Sequence, residues 1–138
     1  MKRFYQIQQG ARLTGAQIEE LRVAVGWDRM QGKYDLILAR SYTHYSIMDD
    51  SHLIGFVNVI SDGVADAFLV DLMIHPDFQH QGIGKALITH AINDLKARDI
   101  RCIQLTFAPE LEPFYQACGF HIVKAGIIDT AVSDGNAA

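Results

Sequence analysis

The sequence predicts an α/β fold of the α+β type, with a mixed sheet of about six to seven strands flanked by about four helices. Three observations predict it. Alternating residues from Tyr42 to Met48 and from Leu53 to Ile60, joined by Asp49-Asp50-Ser51, read as a hairpin. The nearly continuous apolar run from Ala65 to Ile74, interrupted by Asp66 and Asp71, suits a central strand covered on both faces, and Pro76 ends it. Ile83, Leu87, Ala91 and Leu95 then recur every fourth residue, the stripe of a helix reaching Ala97. A hairpin followed by strand, helix and strand calls for a parallel crossover, which makes the sheet mixed.

The remaining elements follow in chain order. Phe4-Tyr5-Gln6-Ile7-Gln8 alternates as an opening strand. Thr14 with Gln17 three residues later is a capping-box signature; Ile18, Leu21 and Val25 supply the stripe of the first helix and Gly26 its stop. Tyr34, Ile37 and Leu38 mark a second helix around Gln31 to Arg40, and Ser61-Asp62-Gly63 is a turn. Ile103, Leu105 and Phe107 alternate with Gln104 and Thr106 as a strand. Leu111 to Cys118 reads as a short helix stopped by Gly119, followed by final strands at Phe120 to Lys124 and Ile127 to Thr130. Residues 131–138 carry too little apolar surface to stay ordered, so the chain reads as a single domain over 1–130 with a disordered tail over 131–138.

Composition excludes several classes of function. A chain of 138 residues, 49% hydrophobic, is the size and content of one packed domain. No stretch of about 18 apolar residues occurs and the opening residues lack the apolar block of a secretory signal, which points to a cytoplasmic protein without a membrane partner. Cys102 and Cys118 have no C-x-x-C spacing and read as reduced thiols. Cys118 and His121 fall on different elements with no nucleophile elbow, so a packing cysteine is expected. The net charge of −4, with scattered Lys and Arg, gives no footprint for nucleic acid. None of His44, His52, His75, His80, His90 and His121 stands in H-x-x-x-H or H-E-x-x-H spacing, so no metal is expected.

The most informative segment is His75-Pro76-Asp77-Phe78-Gln79-His80-Gln81-Gly82-Ile83-Gly84-Lys85, where a buried strand ends, a loop follows and a helix begins at the glycines. The amides of a helix's first turn lack internal partners and the helix dipole adds positive potential, so a pyrophosphate can be held there with few basic side chains. Lys85 adds one charge. The Walker pattern fails because Ala86 stands where a hydroxyl would hold magnesium. The dinucleotide fingerprint fails because Leu87 replaces its third glycine. The remaining alternative is that Gly82 and Gly84 merely permit a tight turn.

Gln79-x-x-Gly82-x-Gly84 resembles the Q/R-x-x-G-x-G/A motif of the GNAT superfamily of N-acetyltransferases, and Phe114-Tyr115-x-x-x-Gly119-Phe120 resembles its second signature. Leu53-Ile54-Gly55-Phe56-Val57 is similar to that family's third strand, and the element order matches over nearly the whole chain. The resemblance implies that the strands ending at Ile74 and near Phe107 form a splayed parallel pair with acetyl-CoA in the gap. Leu72, Met73 and Ile74 would offer backbone groups to pantetheine, and the segment Gln79, His80, Gln81, Gly82, Ile83, Gly84 and Lys85 would bind the pyrophosphate. It also implies transfer of acetyl to an amine, with Tyr115 as the acid for the departing thiolate. A phenol is suited to that task because its pKa, about 10, keeps its proton in place at neutral pH. Tyr115 as a plain core aromatic is the alternative. Where many relatives place a glutamate this chain has Phe68, Leu69 and Val70, so Asp71 is the closest carboxylate for the amine's proton. Its alternatives are a structural acceptor or a water relay. Ala108 replaces a cofactor-binding asparagine, which leaves one pantetheine contact without its usual partner. Trp27, Tyr34, Tyr42 and Tyr45 are candidates to line a pocket for a small-molecule amine. A homodimer paired through the apolar segment 120–130 is expected, and a non-catalytic acyl-CoA sensor is the competing reading.

Overall fold

The computed structural model describes residues 4–131, which fall into two compact units, 4–105 and 106–131. Most of the proposed tail, 132–138, lies outside the described residues. The first unit holds β1 (Ile7–Gln9), α1 (Gly15–Ala24), α2 (Tyr34–Arg40), β2 (Thr43–Asp49), β3 (His52–Ser61), β4 (Asp66–Ile74), α3 (Ile83–Ala97) and β5 (Cys102–Gln104). The second holds α4 (Glu112–Ala117) after a short 3-10 turn, Pro109–Leu111.

The sheet runs β1-β2-β3-β4-β5, antiparallel except for the parallel β4–β5 pair, as the crossover through α3 requires. It has five strands among the described residues, not six to seven. The shortfall lies in residues 120–130, expected as two strands, which carry neither helix nor strand. Val123, Ile127 and Ile128 are exposed there, and apolar β-formers without a facing strand have no ladder to join.

α1 starts on a complete capping box: Gln17 N–H donates to Thr14 Oγ1 at 3.2 Å and Thr14 N–H to Gln17 Oε1 at 2.8 Å. At Gly15 a Cβ would lie 2.6 Å from the Asp35 backbone nitrogen, so only glycine lets α1 and α2 approach this closely. Gly15 N–H also donates to Asp35 Oδ1 at 2.6 Å. The second helix begins at Tyr34 rather than near Gln31, because Met30, Gln31 and Gly32 all take left-handed backbone. Two acceptors hold that turn. Asp28 Oδ1 takes the Met30 N–H at 3.0 Å and the buried Glu19 takes the Gly32 N–H at 3.3 Å.

β3 is buried without alternation from Leu53 to Val59 because both faces are covered. Phe56 meets Tyr34 of α2 edge-on, with ring centres 5.9 Å apart. On the opposite face its neighbour Val57 pairs with Tyr45, whose hydroxyl donates to Asp94 of α3 at 2.6 Å. Ile18, Leu21, Tyr34, Leu53, Phe56 and Met73 form the core on the α1–α2 face, while α3 buries Ile83, Leu87, Ile88, Ala91 and Leu95. Each of the leucine, isoleucine, phenylalanine and methionine side chains among them contributes about 1.5–3 kcal/mol of transfer free energy. Together they fix the sheet end where β4 gives way to α3.

Candidate active site

β4 ends at Ile74 and the chain turns through a 3-10 segment, Pro76–Phe78. His75 Nδ1 accepts from the Asp77 N–H at 3.1 Å, and the Gln79 side-chain amide donates to the Ile74 carbonyl at 2.9 Å, closing the loop onto the strand. Phe78 is pinned edge-on between Tyr5 and His75, each with ring centres 6.0 Å away. His80 and Gly82 then take left-handed backbone, with φ of 62° and 80°. Gly82 is the N-cap of α3; no side chain caps the helix and its first turn holds no acid. The amides of Ile83, Gly84 and Lys85 are therefore the uncapped positive end of a 15-residue helix, with Gln81, Gly82 and Lys85 exposed beside them. Ile83, buried, anchors the turn from below. Such an end suits an anion.

Beside this loop the sheet opens. β5 pairs with β4 at Asp66, Ala67 and Phe68 only, while β4 runs on to Ile74. Leu72, Met73 and Ile74 lie beyond the last rung, with the Met73 side chain buried in the core. β5 ends at Gln104, short of the Phe107 expected for it, so its pairing with β4 stops at Phe68.

Just before them β4 bulges. Phe56 pairs with Met73 but Asn58 pairs with Val70, so Val57 faces both Asp71 and Leu72. Asp71 takes a φ of 58°, a conformation aspartate tolerates better than most side chains. Its carboxylate accepts from the Tyr34 hydroxyl at 2.5 Å on Oδ2, and Arg22 Nη1 lies 3.4 Å from Oδ1. Burial first, then the hydrogen bond to Asp71, pushes the Tyr34 phenol far above its ordinary range, so it remains a donor. Arg22, itself buried, also donates through Nε to the Asp28 carbonyl at 2.6 Å, and its guanidinium lies 5.3 Å from the Trp27 ring centre.

In the second unit Tyr115 sits on α4, nearly buried, stacked on Phe107 at 4.8 Å and edge-on to Phe114 at 4.9 Å and Phe120 at 5.9 Å. Burial, and secondarily Cys118, raises its phenol above the ordinary value.

Leu72 to Ile74 and His80 to Lys85 thus gather at one end of β4, with Asp71 at the bulge. Of the four aromatics expected to line an acceptor pocket, Tyr34 and Tyr45 are core residues, fully buried, and only Trp27 and Tyr42 reach the surface. Arg22 and Asp28 were not singled out from sequence. The available signal was an arginine four residues after Ile18, on the buried stripe of α1. Among the described residues no cluster of His, Cys, Asp and Glu could hold a metal, and no helix is long and apolar enough to cross a membrane.

Residues 40–122 match the family described as "Acetyltransferase (GNAT) domain". The chain is 36% identical over 108 residues to an uncharacterized N-acetyltransferase ycf52 of Gracilaria tenuistipitata var. liui, covering 75% of this chain and 59% of that protein. It is 36% identical over 78 residues to the chloroplastic GCN5-related N-acetyltransferase 2 of Arabidopsis thaliana, covering 56% of this chain and 30% of that one. The chain therefore spans about three fifths of the first relative and less of the second. A GNAT family acetyltransferase structure from Streptococcus pneumoniae superposes with a TM-score of 0.77 at 26% identity, covering 91% of this chain and 96% of that one. Glucosamine-6-phosphate N-acetyltransferase from Arabidopsis thaliana shares the fold at 14% identity, with a TM-score of 0.71 over 92% of this chain and 98% of that one.

Proposed function

Because the chain belongs to the GNAT superfamily of acetyltransferases, we propose that it transfers acetyl from acetyl-CoA to the primary amine of a small molecule, by direct attack in a ternary complex. The observation that carries this reading is the uncapped start of α3 on left-handed Gly82, directly after a strand that runs on past its last rung with β5. The amides from His80 to Lys85 would hold the pyrophosphate, and Leu72 to Ile74 would pair with the pantetheine arm.

The neutral amine nitrogen bonds to the thioester carbonyl carbon and the carbon–sulfur bond breaks. The surplus proton on nitrogen passes to the Asp71 carboxylate and thence to water. The thiolate takes the Tyr115 phenol proton, leaving free CoA, and the phenolate is reprotonated from solvent. The role of Tyr115 is supported by its place in the Phe114-Tyr115-x-x-x-Gly119-Phe120 signature. We read the protein as a cytoplasmic homodimer, its pairing supported by the exposed Val123, Ile127 and Ile128.

The test is calorimetry with CoA and acetyl-CoA, followed by thiol release across a panel of small primary amines. CoA binding with amine-dependent release is expected. Binding without release would establish the sensor reading, and no binding would overturn both.

A further inference from the structure

One guanidinium ties together the exposed indole, the strained turn after α1 and the carboxylate at the β4 bulge. Arg22 Nε donates to the Asp28 carbonyl at 2.6 Å, Nη2 to Asp28 Oδ1 at 3.3 Å, and Nη1 faces Asp71 Oδ1 at 3.4 Å, while the ring of Trp27 lies 5.3 Å away. The charged and titratable groups of this cluster are Glu19 and Arg22 from α1, Asp28 from the turn, Tyr34 from α2 and Asp71 from β4. Tyr34 is fully buried and Arg22 8% exposed, so the cluster is set inside the protein, whereas Trp27 is 41% exposed and Asp71 reaches solvent in part.

We propose that Arg22 is a positioning residue for the acetyl transfer: it fixes the Trp27–Asp28 segment against the Asp71 carboxylate, and its charge keeps an amine bound at that carboxylate in the neutral, nucleophilic form. This rests on the reading that the amine delivers its proton to Asp71. Arg22 acts in two parts, through its charge and through its shape. A cation held beside the carboxylate disfavours a second cation in the same place, so an ammonium is discharged there more readily than in water. A planar fork with two nitrogens hydrogen-bonded to Asp28 and a third paired with Asp71 also fixes two segments at once, which a point charge on a flexible stem does not reproduce.

The two parts separate by substitution. In Arg22→Gln the acidic limb of kcat, measured at saturating amine, is expected to move up by about one pH unit, since the bound amine must now lose its proton without the neighbouring cation. Arg22→Lys retains the charge and should leave that limb in place, while raising the amine KM about tenfold through loss of the fork. Asp28→Ala frees the turn without touching Asp71, so it too should raise the amine KM with the limb unmoved. Trp27 is the only tryptophan, so its emission should shift in Arg22→Gln and Asp28→Ala, reporting release of the segment. A purely structural arginine would leave the limb where it was in every variant. That outcome, or an unchanged amine KM in both Arg22→Lys and Asp28→Ala, overturns the proposal. If Arg22→Gln does not fold, those two variants decide it. CoA calorimetry and turnover of the unaltered protein are run alongside: their failure refutes the acetyl-transfer reading itself, whereas their success with inert Arg22 variants refutes this inference alone.

Discussion

Replacing Gly82 isolates the backbone's contribution to the proposed CoA site. A Cβ at Gly82 would meet no atom within 4 Å, so an alanine there creates no clash and its whole effect is conformational. The residue holds a φ of 80°, and left-handed backbone costs an L-residue roughly 1–2 kcal/mol. In the free protein the loop is held by Gln79 on Ile74 and by the Ala86 N–H on the Gly82 carbonyl at 3.1 Å, and both contacts can survive a local relaxation. The strain then returns when a diphosphate forces the amides back into position. CoA affinity in Gly82→Ala should therefore fall about 5- to 30-fold with little change in melting temperature. Gly82→Asn should fall between the two, because asparagine tolerates this conformation better. Isothermal titration with CoA, paired with thermal melting of the free protein, measures both quantities. Gly10→Ala is the control, a left-handed glycine at the end of β1 whose replacement should leave CoA binding unchanged. The reasoning is refuted if Gly82→Ala binds CoA like the unaltered protein, or if Gly10→Ala weakens binding equally.

Tyr115→Phe should lower amine-dependent CoA release more than tenfold, within the roughly 10²–10⁴ of a general acid, with CoA binding retained. Since burial raises this phenol, it stays protonated past the ordinary tyrosine value of about 10, so no alkaline loss of kcat below that pH should disappear in Tyr115→Phe. A pH–rate profile of both proteins checks this. Tyr34→Phe removes the donor on Asp71 Oδ2 and should destabilise the protein by about 1–3 kcal/mol in urea titration. Gly15→Ala should cost about 1–3 kcal/mol or more, because its Cβ meets the backbone of Asp35 at 2.6 Å, and calorimetric melting would show it.

What could be read from sequence was what depends on neighbours in the chain. Thr14 with Gln17 marked the start of α1 correctly because both halves of a capping box lie within one turn. The stripe through Ile83, Leu87, Ala91 and Leu95 located α3 to its last residue for the same reason. The strand–loop–helix geometry around Gly82 is likewise contiguous. Asp71 shows the limit. Its place near the donor strand was legible, but a single extra residue in β4 is invisible in an apolar run, and its partners Tyr34 and Arg22 come from helices far away in sequence. Tyr34 and Tyr45 were misplaced as pocket walls because an aromatic in an amphipathic pattern looks the same on either side of the surface. The turn at Met30 and Gln31 passed for helix because left-handed backbone is rarely signalled by such residues. Residues 120–130 have the composition of strands, but a strand forms only against a partner, and the local pattern does not supply one.

Two features of the first unit meet at the same end of the sheet: the stretch of β4 past Phe68, which β5 no longer pairs and where the Gln79 side chain holds the Ile74 carbonyl, and the uncapped first turn of α3. Unpaired backbone groups are costly to bury and are satisfied by water or by ligand. A ligand with amides to lie along one and phosphates to meet the other should therefore stabilise the fold through both. At 100 times its Kd, CoA should add about 2.7 kcal/mol. For a domain of this size that corresponds to a rise of roughly 8–10 °C in melting temperature. Gly82→Ala, if tenfold weaker, should gain only about half as much at the same concentration, because the stabilisation grows as the logarithm of one plus the ratio of ligand concentration to Kd. Pantetheine, which has the amides but no diphosphate, should do less than CoA at equal concentration in the unaltered protein and should be indifferent to Gly82→Ala. Differential scanning calorimetry of the two proteins with the two ligands distinguishes the contributions. If pantetheine raised the melting temperature as far as CoA does, the helix start would not be the phosphate receptor, and the assignment of Gly82 to Lys85 would fail with it.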